Sequence, residues 1–489
     1  MRIRSLGLAA SLFTLAAACG GSGSDDGSTT SPTDPSGPVV PVAAKDPGTG
    51  IGTPTDTSGT NEPAPIPYQH FDINHVLSTG QSNSVANGAT PPITTTQPYG
   101  NIKFDTGVIP GRQCDGSGCK SYAKPTQFVP LIEGDNFFGY GIETMSAGLA
   151  NEAAKLAREK FGKPSHDILV SLHGRSGNTY LCLRKGGCDF KGAEAGYLPP
   201  FEDAMMEVSD ALAIAKASGK SYVVRAVTAI HGESDHYSYS TNQQEFPMPA
   251  TSGQGTIADY AAGMLEWQKD YETGVKAITG QTLPVPLFLL QMSSWNDVAH
   301  SKIPTWQLAA HINAPGKVNV VAPAYPIGYA KDCLHFTNHG ERRIGEYFAK
   351  AYARVVIEGR KWEPLRPVDV TVQGNVVTAK FTVPKPPLVL DTEHVSNPGN
   401  YGFEFADGTA TPPAITSVAI AGPDTVKITL ASAPTGADKR LRYAYTAAPQ
   451  TCPGFENGPR GNLRDSDDTP SHYGYPLWNW SVHFDERAK

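Results

Sequence analysis

From residue 75 to about residue 359 two kinds of segment alternate, and this alternation constrains the chain more than any other feature. Five short apolar runs, at 75–78, 167–172, 222–230, 286–291 and 318–322, are rich in Val, Ile and Leu and suit strands buried on both faces. Between them lie helical patterns at 143–161, 202–218, 257–279 and 340–357. In the first of these, Met145, Leu149, Ala153 and Leu156 recur three or four residues apart and form one apolar stripe. Strands alternating with helices predict a parallel sheet covered on both faces, a three-layer α/β/α body of flavodoxin-like type. In such sheets binding groups collect beyond the carboxyl ends of the strands, so functional residues are expected just after each run.

After Trp362 the period changes. Val368, Val370 and Val372 alternate with polar neighbours, as do Val377, Ala379, Phe381 and Val383, and short strand-like runs follow at 416–420, 425–430 and 441–445. Gly, Pro and Asp turns separate them, which predicts an antiparallel, β-sandwich-like domain over 361–489. The last stretch is aromatic and irregular. Trp295, Tyr473, Trp478 and Trp480 are candidates either for stacking platforms or for core.

The N-terminus reads differently again. Arg2 and Arg4 precede an apolar stretch from residue 6 to residue 18, and small residues lead to Cys19, which describes a secretory signal over 1–18. The run Leu15-Ala16-Ala17-Ala18-Cys19 resembles the lipobox of bacterial lipoproteins. That resemblance implies cleavage before Cys19, a lipid on its sulfur and a membrane as partner, with Gly20 favouring the outer membrane or cell surface. An ordinary secreted protein with a chance cysteine is the alternative. Residues 19–66 are dominated by Gly, Ser, Thr, Pro and Asp, and read as a flexible linker ahead of a domain over 67–360. Beyond the N-terminus no run of 18 or more apolar residues occurs. The net charge of −7 over 489 residues argues against a nucleic-acid partner, which requires a basic stripe.

Setting Cys19 aside leaves six cysteines. Cys114 and Cys119, and likewise Cys182 and Cys188, bracket short polar stretches that disulfides can close in an oxidising compartment, leaving Cys333 for Cys452. Metal binding is the alternative, but no histidine stands at zinc-type spacing beside them.

The chemistry gathers at two ends of the α/β region. Directly after the first strand comes Ser78-Thr79-Gly80-Gln81-Ser82-Asn83, where a serine beside glycine on a tight turn can expose its hydroxyl. Near the other end lies Asp332-Cys333-Leu334-His335, followed by Gly340 and a helix. Hydrolysis by a serine nucleophile needs a base to take the hydroxyl proton and a carboxylate to orient that base. An Asp and a His three residues apart project to one side, so Asp332 can hold one imidazole nitrogen while the other faces Ser82.

Together these motifs resemble the SGNH hydrolase superfamily, whose nucleophile lies in its first sequence block and whose Asp-x-x-His lies in its last. The Gly80-Gln81-Ser82-Asn83 form is similar to the branch of sialate O-acetylesterases and acetylxylan esterases. Gly141-Ile142-Glu143 stands where the family carries a Gly-Pro-Glu-like second block. His231-Gly232-Glu233-Ser234-Asp235 stands where it typically reads Gln-Gly-Glu-Ser-Asp, and Arg442-Tyr443-Ala444-Tyr445 looks like the tail of such esterases. The resemblance spans roughly residues 70–357. It implies a serine esterase that removes acetyl or other small acyl groups from carbohydrate without cofactor or metal. Ser82 is then the nucleophile, His335 the general base and acid, and Asp332 its orienting partner.

An oxyanion hole of fixed donors is also implied: the backbone N–H groups of Ser82 and Gly141, and a third donor from the block-three glutamine. Here His231 stands in the glutamine's place. A neutral imidazole can donate one hydrogen bond, so His231 is the expected donor, with Asn178 as fallback. Gln81, Asn83, Gly232, Glu233 and Asp235 are expected to brace the turns. Reading Glu233 and Asp235 as an acid/base pair, or His231, Glu233, Asp235 and His236 as metal ligands, is the weaker alternative. A lipid, aryl or polyester esterase, or a surface lipoprotein that binds carbohydrate without turnover, are the competing functions.

Overall fold

In the computed structural model, residues 64–489 are described, except 112, 116, 117, 121, 138, 189–198 and 241–244. The signal-like stretch, Cys19 and most of the linker therefore lie outside the described residues.

The central sheet contains the five expected strands and two more. Strands β1 (Ile73–Gly80), β2 (Ile102–Phe104), β3 (Phe128–Pro130), β4 (Ile168–Leu172), β5 (Tyr222–Ile230), β6 (Leu287–Gln291) and β7 (Val318–Pro323) lie side by side in the order β7-β6-β5-β1-β4-β2-β3. All neighbours run parallel except the edge strand β3, which is antiparallel to β2. The two additional strands have three residues each, too short to leave a pattern in sequence.

Among the described residues, six helices of eight or more residues accompany the sheet: α1 (Met145–Glu159), α2 (Pro200–Ala217), α3 (Glu233–Ser240), α4 (Tyr260–Thr279), α5 (Ile303–Asn313) and α6 (Asn338–Tyr352). Successive residues of β1 explain the three layers, because side chains alternate across a strand. Val76 joins a core with Leu149, Ala153, Ile344 and Phe348 of α1 and α6, whereas Leu77 joins one with Val208, Met264 and Leu308 of α2, α4 and α5. The expected first helix begins later than its apolar pattern. The Thr144 side chain accepts the Ser146 N–H and caps it there, so Gly141–Glu143 form an entry loop instead of its first turn.

The C-terminal region is built from antiparallel sheets. Strands β8 (Arg366–Gln373), β9 (Val376–Thr382), β11 (Ile415–Gly422) and β12 (Thr425–Leu430) form one sheet in the order β8-β9-β12-β11. Strands β10 (Phe403–Ala406), β13 (Arg440–Tyr443) and β14 (Phe484–Arg487) form another, in the order β10-β13-β14. Phe381 of the first meets Phe484 of the second edge to face at 6.1 Å. This region shares one hydrophobic core with the α/β body. His483 bonds Ser293 across the boundary at 2.6 Å, and Tyr325 donates to the Ser481 carbonyl at 2.8 Å. Trp295 and Trp480 are buried there and serve as core, not as stacking platforms. Trp478 is partly buried beneath the Arg464 guanidinium, and Tyr473 lies beneath that of Arg342.

Cys182 is bonded to Cys188, and Cys333 to Cys452. Cys114 stands opposite Cys119 in a two-stranded hairpin, and their side chains lie outside the described residues. Among the described residues no helix is long and apolar enough to cross a membrane.

Candidate active site

The site assembles at the carboxyl end of the sheet. β1 ends at Gly80, whose φ of +130° and closeness to the Ile230 carbonyl leave no room for a Cβ. The chain can therefore turn sharply beside the end of β5 into a single 3₁₀ turn, Ser82–Val85. Ser84 closes the turn by donating to the Gln81 carbonyl at 2.7 Å. Ser82 is 6% exposed, and among the described residues its hydroxyl has no hydrogen-bond partner.

Two side chains of the first block tie this turn to distant segments. Gln81 Oε1 accepts the Ser234 N–H at 2.9 Å, in the first turn of α3. The Asn83 amide donates to the Leu334 carbonyl at 3.2 Å, and its Oδ1 accepts the Phe336 N–H at 3.3 Å. One side chain thus grips the backbone on both sides of His335.

Asp332 organises the same loop from within. Its Oδ1 accepts the N–H groups of Leu334 and His335, each at 3.0 Å, and its Oδ2 accepts the His335 ring Nδ1–H at 2.6 Å. Partial burial works against the charge on Asp332, but the hydrogen bonds from His335 and Leu334 outweigh it and hold the carboxyl below its ordinary range. With Nδ1 committed, His335 Nε2 has no hydrogen-bond partner among the described residues. Ser82 and His335 are not hydrogen-bonded to each other, a looseness common in unliganded sites.

The block-three residues brace. Gly232, at φ +142°, lets the chain leave β5 and enter α3. Glu233 is buried and accepts the Ser294 hydroxyl at 2.6 Å. Burial raises its carboxyl pKa, opposed by Ser294 and by the nearby His335 and Asn83. Asp235 accepts the Tyr180 N–H at 2.9 Å, and burial holds its pKa well above the ordinary value.

His231 departs from expectation. Its ring is buried, stacked on Tyr260 and set edge-on against Trp267. Nδ1 meets the Tyr260 hydroxyl at 2.8 Å, while Nε2 lies 3.2 Å from the Asn178 carbonyl and 3.2 Å from Asp235 Oδ2. Burial lowers its pKa to about 4, so the ring is neutral and carries one N–H. A carbonyl can only accept, which puts that proton on Nε2 and leaves nothing to offer an oxyanion. Asn178, the fallback donor, has no side-chain hydrogen bond among the described residues, and His231 holds its backbone carbonyl.

Gly141 lies in a small hairpin, Asn136–Phe137 with Tyr140–Gly141, next to the segment that follows the serine turn. Tyr140 donates to Asn87 at 3.0 Å, and the Glu143 carboxylate accepts the N–H groups of Ile93 at 2.7 Å and Thr94 at 2.9 Å. Sequence reasoning passed over Ser294 and Asp297, the latter 2.7 Å from His236, because both come from the loop after β6 and carry no motif. Among the described residues no three His, Cys, Asp or Glu side chains are grouped so as to hold a metal ion. His231 and Asp235 lie against each other, whereas Glu233 faces Ser294 and His236 faces Asp297.

A second Asp-x-x-His occurs in the C-terminal region. Asp391 accepts the N–H groups of Glu393 and His394 and the His394 ring Nδ1–H at 3.0 Å, the same local pattern as Asp332. Its surroundings are Trp478 and Arg464, with no serine turn.

No family model and no curated sequence matches the chain. Solved structures similar to it include a carbohydrate acetylesterase from Xanthomonas citri, at 15% identity over 84% of this chain and 80% of that one, with a TM-score of 0.47. A carbohydrate acetylesterase from Sinorhizobium meliloti is 11% identical over 57% of this chain and 98% of its own, with a TM-score of 0.29. The native aryl esterase of M. smegmatis is 12% identical over 57% and 97%, also at 0.29.

Proposed function

We propose that the protein is a serine esterase that removes acetyl or similarly small acyl groups from carbohydrate. One observation carries this reading: Asn83, the neighbour of Ser82, grips the backbone on both sides of His335, whose Nδ1 is held by Asp332. Ser82 Oγ attacks the ester carbonyl while His335 Nε2 takes its proton, and Asp332 stabilises the imidazolium that forms. The backbone N–H groups of Ser82 and Gly141 and the Asn178 amide receive the oxyanion. Collapse of the tetrahedral intermediate expels the sugar alcohol, which takes the proton from His335, and water then clears the acyl-enzyme by the same route. No step calls for a cofactor. The lipobox-like run at Cys19 supports a lipid-anchored protein of the bacterial surface, acting on material outside the cell.

The test is turnover of p-nitrophenyl esters of rising chain length, followed by acetate release from acetylated xylan and O-acetylated sialic acid. Acetate-selective turnover with release from one of the sugars is the expected result. Preference for longer chains replaces the substrate class with lipid, aryl or polyester. Sugar binding without any turnover replaces the enzyme with a binding protein.

A further inference from the structure

The loop that carries Asp332 and His335 is cross-linked at its middle. Cys333, between the two, is bonded to Cys452 of the C-terminal region. Asn83 holds the loop at Leu334 and Phe336, on the His335 side, and the cross-link holds it on the Asp332 side. The Asp332 side chain is 51% exposed, so burial does not fix it. The backbone of Cys333 sits at φ +65°, a left-handed conformation that non-glycine residues adopt at a cost and keep only where the surroundings enforce it. The loop's backbone hydrogen bonds include a turn from the Cys333 N–H to the Ala330 carbonyl at 3.0 Å and a return from the Ala330 N–H to the His335 carbonyl at 2.7 Å, and Asp332 accepts the Leu334 and His335 N–H groups.

Cys452 is itself anchored on the opposite rim. Its segment lies along the loop after β6, with the Ala447 N–H on the Ala299 carbonyl at 2.8 Å and the Gln450 N–H on the Asn296 carbonyl at 2.6 Å. That rim also supplies Ser294 to Glu233 and Asp297 to His236. The disulfide therefore joins a segment bonded to the loop after β6 to the midpoint of an acid–imidazole couple whose acid is half exposed. We propose that Cys452 is a positioning residue for the esterase reaction, holding Asp332 and His335 in register with Ser82 through Cys333. The C-terminal region then contributes to turnover itself and not only to the stability of the fold. This inference rests on the esterase reading above.

The closing experiment compares the wild type with the Cys333→Ser/Cys452→Ser double variant, using p-nitrophenyl acetate below the thermal midpoint of both. The expected result is a kcat lower by about tenfold or more with KM changed by less than about threefold, because binding survives while the reacting groups lose register. Hydrogen exchange at the amides of residues 330–336 is expected to accelerate while that of residues 81–85 stays unchanged. The Cys182→Ser/Cys188→Ser variant serves as control and keeps its kcat. If the double variant does not fold, the folded protein with Cys114, Cys119, Cys182 and Cys188 replaced by serine is reduced with dithiothreitol and reoxidised, with circular dichroism recorded throughout. Loss and recovery of kcat at constant secondary structure supports the proposal. An active wild type whose cross-link can be removed with kcat held within twofold, or with the whole effect in KM, overturns this inference alone. A wild type with no turnover overturns the esterase reading and this inference together.

Discussion

Asn83 grips His335 from both sides, its amide donating to the carbonyl before that residue and accepting from the N–H after it. The two residues are 252 positions apart, yet Asn83 adjoins Ser82, so the contact couples the position of the serine turn to that of the imidazole. Replacing Asn83 by Ala removes both bonds. The expected result is a kcat about 10–100-fold lower with a small change in KM, since a misplacement of order 1 Å is enough for such a loss. A kcat unchanged in a folded Asn83→Ala protein contradicts this coupling.

Ser82→Ala is expected to abolish turnover, by roughly 10³-fold or more, with the thermal midpoint within a few degrees of wild type, because its hydroxyl bonds nothing among the described residues. Asp332→Asn is expected to cost about 10²–10³ in kcat. Half-exposed Asp332 is screened more than a buried carboxylate, for which about 10⁴ is seen elsewhere. Residual activity of the Ser82 variant within tenfold of wild type removes Ser82 from its role.

Asn178 and His231 make opposite predictions. Asn178→Ala is expected to lower kcat by about 10²–10³, the usual loss for one oxyanion donor. His231→Gln is expected to stay within about threefold of wild type, because a glutamine amide can donate to the Asn178 carbonyl while its oxygen accepts from Tyr260. His231→Leu removes both hydrogen bonds and is expected to lower stability by about 1–3 kcal/mol. Should His231→Gln raise kcat tenfold while Asn178→Ala does nothing, the donor assignment is reversed.

Stability is expected to fall on the alkaline side through two glutamates beneath the C-terminal segment. Glu152 accepts the His472 N–H at 2.5 Å and Glu346 the Tyr473 N–H at 3.2 Å. Burial raises their pKa values from 4.5 to about 7 and about 8. Between 4.5 and those values the folded chain holds more protons than the unfolded one, so their contribution is complete below pH 4.5 and is lost as pH rises through 7 and 8. Lys155, Lys350 and Arg342 lie close enough to moderate the effect. Buried His75, His166, His231 and His483, lowered by burial to about 3, 3, 4 and 4, act in the other sense and destabilise as pH falls from 6.5 toward those values. The thermal midpoint is expected to drop from pH 6.5 to 9, and Glu346→Gln to flatten that drop. A slope unaffected by the substitution would rule Glu346 out as its source.

The parallel core was legible because two-sided burial writes itself into composition: β1, β4, β5, β6 and β7 are short Val-, Ile- and Leu-rich runs whose successive side chains enter opposite cores. β2 and β3 left no such mark, since three residues are too few for a period. α3 was missed because it is a polar helix, opening on Glu233 and Asp235. The pairing of Cys333 with Cys452 was reached by elimination, and the bond is present. The direction of the His231 ring was not legible in sequence because it depends on Tyr260 and Trp267 of α4 and on the Asn178 loop, none of which is local to it.

The two Asp-x-x-His couples mark where local pattern runs out. Asp332 with His335 and Asp391 with His394 share a spacing and a set of hydrogen bonds, because three-residue turns of this composition close in the same way anywhere in a chain. Short-range chemistry is enough to orient an imidazole on a carboxylate. Which couple is tied to the Ser82 turn depends on Asn83 reaching the loop of His335, and a hydrogen bond between residues so distant in sequence exists only once the strands have stacked.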